Sequence, residues 1–177
     1  VNGQDLRLMV DTGASFCFLS EAATKRLGLL PQEEIDAIAA SGRRVGMKTG
    51  LVKRLELGSL VIENELVGIN TALPEGFAGV IDGVLGLNCL KDFDVRFNHP
   101  ERTLTFWKAG KAPRLEGEME LPLTALELSG RIQGQQAPSC LVEASIMGKP
   151  VPFLLDTGAV GKSVLVPQPL FSELFPD

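Results

Sequence analysis

The sequence predicts an all-β protein of two homologous lobes with a few short helices, the second lobe truncated. Three observations carry that expectation. Residues 1–15, VNGQDLRLMVDTGAS, are repeated without a gap at 146–160, IMGKPVPFLLDTGAV. Between and around the copies run short apolar segments broken by glycine-rich turns, the pattern of strands rather than long helices. The stretch 34–107 that follows the first copy has no counterpart after the second, where only 157–177 remain.

The repeat comes first, because it constrains every later assignment. Gly3 falls on Gly148, Val10 on Leu155 and Asp11 on Asp156, while Thr12, Gly13 and Ala14 fall on Thr157, Gly158 and Ala159. Gly3 and Gly148 suit hairpin turns that need positive φ. LRLMV and VPFLL read as short buried strands, with Pro152 placing the second at a sheet edge. Each strand delivers an aspartate into a Thr-Gly turn. A carboxylate is costly to bury alone, and the repeat supplies a second polar group of the same kind.

Bulk properties narrow the class. The chain has 177 residues and is 45% hydrophobic, enough for one compact domain or two small lobes. A net charge of −5 leaves no basic stripe for phosphates, so no nucleic-acid partner is expected. Cys17, Cys89 and Cys140 have neither disulfide-scaffold nor metal spacing. The single histidine, His99, reads as a turn residue in FNHPER, so neither a zinc site nor a Ser-His-Asp triad is expected. No cofactor or metal is implied. No run reaches the roughly 18 apolar residues of a membrane span. The chain lacks an initial methionine and begins inside a hairpin, so it reads as a piece of something longer, with any targeting segment outside it.

In order, SFCFLS reads as a strand, and Ser20 caps a short helix, EAATKRLG, that Gly28 closes. Residues 34–48 form a hairpin about Ser41-Gly42, and a second pair of strands flanks Gly58-Ser59. Val84-Leu85-Gly86 is an apolar pair running into glycine, followed by a short helix with Leu87, Leu90 and Phe93 at helical spacing. Two strands then flank Asn98-His99-Pro100-Glu101, and Trp107 closes the unit as a core or rim aromatic. The polar, Gly- and Pro-containing stretch 108–118 marks the lobe boundary. The expected organisation is a first lobe at 1–112, a linker with a strand and hairpin at 113–139, and an incomplete second lobe at 140–177. Within the linker MELPLTALEL is a strand candidate; CLVEASI enters the second hairpin.

This order of elements resembles the retropepsin-like aspartic proteases and, more distantly, the two-lobed pepsins. The resemblance rests on Asp11-Thr12-Gly13-Ala14 at a strand end, a flap-like hairpin at Ser41-Gly42, and Val84-Leu85-Gly86 followed by Asn88. It covers nearly all of 1–107 and about 140–165 of the second unit. It implies an aspartic endopeptidase in which Asp11 and Asp156 share a proton and activate water between them. It also implies that Thr12 and Thr157 bond across to the opposite loop. Gly13 and Gly158 would allow close approach, Ala14 and Ala159 would complete the loops, and Val84, Leu85 and Gly86 would support the first. The hairpin at Ser41-Gly42 would close over an extended peptide or protein substrate. The chain has no tyrosine, so it lacks the pepsin flap tyrosine, and it departs from retropepsins in carrying both loops. Both departures suit a bacterial-type single-chain protein of two repeats.

Other readings stay open at this level. DTGAVGKS at 156–163 approaches a phosphate-binding loop, but Asp156 stands where that motif needs its first glycine. The fold also serves non-catalytic peptide binding or assembly, and the short second unit raises the question of whether Asp156 is properly aimed. A homodimer pairing Asp11 with Asp11 of a second chain is the remaining alternative. Each D-T-G is also ordinary turn chemistry, and Ser41-Gly42 fits a plain hairpin tip as well as a flap.

Overall fold

The computed structural model describes residues 1–38, 44–73, 76–119, 121–124, 131–132, 135–136, 139–159 and 164–175. The chain is mostly β. The first part runs β1 (Leu8–Val10), β2 (Phe18–Ser20), α1 (Glu21–Leu27), β3 (Glu34–Ile38), β4 (Arg44–Leu57), β5 (Leu60–Thr71), β6 (Gly83–Leu85), α2 (Leu87–Leu90), β7 (Phe93–Asn98) and β8 (Thr103–Lys108). The remainder holds β9 (Leu123–Thr124), β10 (Arg131–Ile132), β11 (Gln135–Gln136), β12 (Leu141–Ile146), β13 (Lys149–Leu154) and α3 (Gln168–Leu174).

A six-stranded sheet, ordered β1-β6-β2-β5-β4-β3, organises the first part. Its long hairpin, β4–β5, turns at Gly58, whose φ of 60° is the left-handed conformation glycine adopts freely. β6 lies parallel to β1 with Met9 opposite Val84, and antiparallel to β2 with Phe18 opposite Val84. The strand that ends in Asp11 is thereby locked to the apolar-apolar-Gly segment. Helix α1 starts where the sequence places it. Ser20 Oγ accepts the Ala23 N–H at 3.2 Å, and Gly28 closes the helix at φ 63°; such an N-cap is worth about 1 kcal/mol.

The main core gathers Leu19, Val52, Leu55, Val67, Ile69 and Leu85, among others, beneath the Asp11 strand. A smaller cluster of Phe16, Ile35 and Leu66 sits where β3 meets the sheet. β7 and β8 form a separate hairpin, with the Arg96 guanidinium 5.0 Å above the Trp107 ring. Trp107 is half-buried, a rim aromatic. The stretch that follows is tied back onto this hairpin. Asp94 accepts the N–H groups of Lys111 and Ala112, each at 2.9 Å, and Arg96 donates to the Pro113 carbonyl at 2.8 Å.

The second copy of the repeat forms a three-stranded sheet ordered β13-β12-β9. β13 is an edge strand, which accommodates both Pro150 and Pro152. Both repeat hairpins turn with paired positive φ, Asn2 at 48° and Gly3 at 78°, Met147 at 51° and Gly148 at 80°. That is the pattern of a primed hairpin turn.

Several details differ from the sequence reading. Phe93 does not extend α2 but opens β7 opposite Lys108, because strand pairing there outweighs a four-residue helix. The strand expected across MELPLTALEL reduces to Leu123–Thr124 among the described residues. β1 is half-buried rather than fully buried, and Leu154 and Leu155 at the end of the second copy are 43% and 46% exposed. Helix α3 was not anticipated; Lys149 reaches its Glu173 at 3.1 Å and ties it to β13.

Candidate active site

Asp11 leaves β1 with its backbone N–H bonded to the Leu85 carbonyl at 3.1 Å. Its Oδ1 accepts the N–H groups of Gly13 at 2.7 Å and Ala14 at 3.1 Å, closing the turn on its own carboxylate. Asp156 leaves β13 in the same way, its Oδ1 accepting the Gly158 N–H at 2.8 Å. The Ala159 N–H turns back to the Asp156 carbonyl at 3.4 Å, as that of Ala14 does to Asp11 at 3.3 Å.

The two loops face each other. The Thr12 N–H donates to Thr157 Oγ1 at 3.1 Å, and the Thr157 N–H donates to Thr12 Oγ1 at 3.1 Å. Each hydroxyl then donates onward across the junction, Thr12 to the Leu155 carbonyl at 2.6 Å and Thr157 to the Val10 carbonyl at 2.9 Å. Both threonine hydroxyls therefore accept once and donate once, which uses their hydrogen and one lone pair.

The glycines explain how closely the loops meet. A Cβ on Gly13 would stand 2.5 Å from the Asp156 carboxyl carbon, and one on Gly158 would stand 2.5 Å from that of Asp11. No side chain fits at either position, so here glycine serves close approach rather than positive φ. Each carboxyl rests over the glycine of the opposite turn.

Electrostatics follow from this geometry. The pKa of Asp11 is raised above the ordinary carboxylate value, first by burial, then by its hydrogen bond with the Asp156 carboxyl and the charge of that group. The N–H groups of Gly13 and Ala14 pull the other way and do not cancel the effect. Such a pair titrates as a unit.

Behind the first loop, Val84 and Leu85 are each only 1% exposed. A Cβ on Gly86 would lie 2.7 Å from the Ala14 carbonyl oxygen, so the support passes directly under the loop. The Leu87 N–H bonds to that same oxygen at 2.8 Å. Asn88 then bridges three elements. Its Oδ1 accepts the Cys17 N–H at 2.7 Å, and its Nδ2 donates to Glu65 Oε1 at 2.7 Å and to the Leu66 carbonyl at 3.2 Å. Burial raises the Glu65 pKa, against the opposing pull of Asn88 and of the Lys91 charge.

Ser41 and Gly42 lie outside the described residues, as do Gly161, Lys162 and Ser163 of the phosphate-loop-like stretch. The arms β3 and β4 of the candidate flap pair antiparallel up to Ile38 opposite Arg44. His99 lies in the β7–β8 turn, stacked 6.5 Å from Phe97. Among the described residues no group of three or more His, Cys, Asp or Glu is arranged to hold a metal ion. A cleft of about 930 Å³, lined by Arg7, Arg26, Val80 and Asp82, contains neither Asp11 nor Asp156. Glu65 and the approach of Cys17 to Cys89 carry no signal in the sequence; a charged residue in a strand and two scattered cysteines look unremarkable until the fold joins them.

A family model described as aspartyl protease matches residues 1–89. The chain belongs to the aspartyl protease family. The match takes in Asp11-Thr12-Gly13 and Val84-Leu85-Gly86, in agreement with the retropepsin-like resemblance of the motifs. The chain is 27% identical to Protein DDI1 homolog 1 of Rattus norvegicus over 133 residues, covering 75% of this chain and 32% of that protein. It is 27% identical to Protein DDI1 homolog 1 of Mus musculus over 139 residues, covering 77% and 33%. The chain thus spans about a third of the length of these curated relatives. No solved structure matches it. Asp156 lies beyond the matched segment, so the second loop rests on the internal repeat and its geometry.

Proposed function

We propose that this chain is an aspartic endopeptidase carrying both catalytic carboxylates in cis, Asp11 and Asp156. The observation that carries the proposal is the reciprocal Thr12–Thr157 network, which joins the two D-T-G loops of one chain into one site. The two carboxyls share one proton at rest, a state favoured by the burial of Asp11 and its hydrogen bond with Asp156. The charged member of the pair takes a proton from a water held between the two carboxyls. The protonated member donates its proton to the scissile carbonyl as the water attacks. The gem-diol intermediate then collapses with cleavage of the C–N bond: the proton taken from water passes to the leaving amine, and a gem-diol hydroxyl returns its proton to the other carboxylate, which restores the shared-proton pair. No covalent intermediate is required. An extended peptide would lie across the junction, its main chain held as an added strand.

Asp11→Asn and Asp156→Asn should each reduce peptide turnover about 10³-fold, within the range of general acid–base contributions, while circular dichroism stays unchanged. Turnover retained in both variants would sink the dyad. Turnover retained only in Asp156→Asn would assign the chemistry to Asp11 paired with Asp11 of a second chain. A second reading, a peptide-binding module of the same fold, draws on the exposure of Asp156, Thr157 and Ala159. It predicts peptide capture with no cleavage between about pH 3 and 8, a window that brackets carboxylate titration.

A further inference from the structure

Two of the three cysteines meet beneath the Asp11 loop. Cys17 and Cys89 stand 72 residues apart in sequence, and their sulfurs lie 3.0 Å apart. Both residues are 3% exposed and both thiols are free. The Gly86 N–H donates to Cys17 Sγ at 3.1 Å. The Cys89 thiol is held well above its ordinary pKa, first by its hydrogen bond with Cys17 and then by burial. The sulfur separation, shorter than two thiols keep without a shared hydrogen, places the pair within reach of a bond. Cys140 stands apart, half-buried at the start of β12, where its carbonyl accepts the Leu155 N–H at 2.8 Å.

We propose that Cys17 and Cys89 form a reversible disulfide with a hydroperoxide as oxidant, and that this bond is a redox control on the Asp11 loop. The Cys17 thiolate attacks a peroxide oxygen, the O–O bond breaks, and hydroxide leaves, taking up the proton Cys17 has released. The resulting Cys17 sulfenic acid is attacked by the Cys89 sulfur. The S–O bond breaks, and the departing hydroxide takes the Cys89 proton as water. Two thiols and one hydrogen peroxide become one disulfide and two waters, with two electrons passing from sulfur to oxygen. The functional consequence rests on the hydrolytic reading above. Closing the sulfurs from 3.0 Å to a bond of about 2.05 Å draws α2 against the loop exit. The atoms that must shift include the Gly86 N–H contact to Cys17 and the Cys17 N–H bond to Asn88, both directly behind Asp11-Thr12-Gly13-Ala14. A displacement of about 1 Å at a reacting group can cost about a hundredfold in rate.

The test treats the 177-residue chain with hydrogen peroxide and reads intact mass, peptide mapping and thiol alkylation. The expected result is loss of two hydrogens, a Cys17–Cys89 linked peptide, an alkylatable Cys140, and full reversal by dithiothreitol. Cys17→Ala and Cys89→Ala should each abolish the bridge, and Cys140→Ala should leave it. Three alkylatable thiols after peroxide, or a bridge containing Cys140, would overturn the disulfide. This holds on the unmutated chain even where a variant fails to fold. In a peptide cleavage assay, oxidation should lower kcat about tenfold or more with KM steady, and Cys89→Ala should be insensitive to peroxide. Unchanged kcat in the bridged protein would overturn the control. If the reduced chain cleaves nothing, the hydrolytic reading fails, while mass alone still decides the bridge.

Discussion

The two D-T-G loops share their local geometry and differ in what holds them. The Asp11 loop has β6 along its strand, the Leu87 N–H under its Ala14 carbonyl, and a core with Leu85 1% exposed behind it. The Asp156 loop hangs from an edge strand paired only with β12 among the described residues, and its Leu154 and Leu155 are largely open. The motif fixes the turn, through a carboxylate that accepts the N–H two residues on, joined at Asp11 by the N–H three residues on. The surroundings fix how firmly that turn is aimed. In this chain the firm loop aims the open one, because the four threonine bonds are what the second loop gains from the first.

The largest break in that comparison is expected in stability. Leu85→Ala should cost about 3 kcal/mol, since it empties a fully packed site and takes the support from beneath the first loop. For a chain of this size that is a fall in Tm of about 6–12 °C. Leu155→Ala, at the exposed end of the second copy, should change stability by no more than about 0.5 kcal/mol. Calorimetry on both variants reads the difference, and equal costs would mean the second loop is buried in solution.

The next effect falls on the junction. Thr12→Val and Thr157→Val each remove one hydroxyl that accepts from and donates to the opposite loop. Loss of two such bonds should lower kcat about tenfold to a hundredfold, equally for the two variants. The double variant should be little worse than either single one, because both serve one connection. Fully additive losses would show that the threonines act on separate loops rather than across the junction.

Much of the fold was legible because it is local. Ser20 and Gly28 frame α1 by their own side-chain and backbone preferences, Gly58 turns the long hairpin, and Gly3 and Gly148 sit at the positive φ their turns demand. The D-T-G-A repeat showed that two similar turns exist. It could not show that Thr12 reaches the Leu155 carbonyl, or that Gly13 lies under the Asp156 carboxyl, because those contacts depend on how two separate sheets dock. The same holds for Glu65. Nothing in VIENELVG marks it, and only the packing of β5 against α2 gives it Asn88 as a partner. Helix α3 gives no start signal in the sequence, because QPLFSEL follows a proline and has no side-chain cap.

The smallest effect is a pH dependence that separates the loops by burial. Folding raises the Asp11 pKa, so between its unfolded and folded values the native state holds a proton that the unfolded chain has released. Stability from this group is therefore fully present below the unfolded carboxylate value, about 3.9, and is lost as pH rises through the raised folded value. Glu65, also raised by burial, tilts the curve in the same direction, whereas Asp82, bonded to the Arg7 N–H and to Arg26, tilts it the other way. Subtracting the Tm-against-pH curve of Asp11→Asn from that of the unmutated chain isolates the first aspartate from both. The difference should decline as pH rises above about 4. The unmutated chain should lose turnover at the alkaline end of the same window, as the proton donated to the scissile carbonyl is lost. A flat difference would mean that Asp11 gains no net proton affinity on folding. A rising one would mean that the N–H groups of Gly13 and Ala14, rather than burial and Asp156, dominate its ionisation.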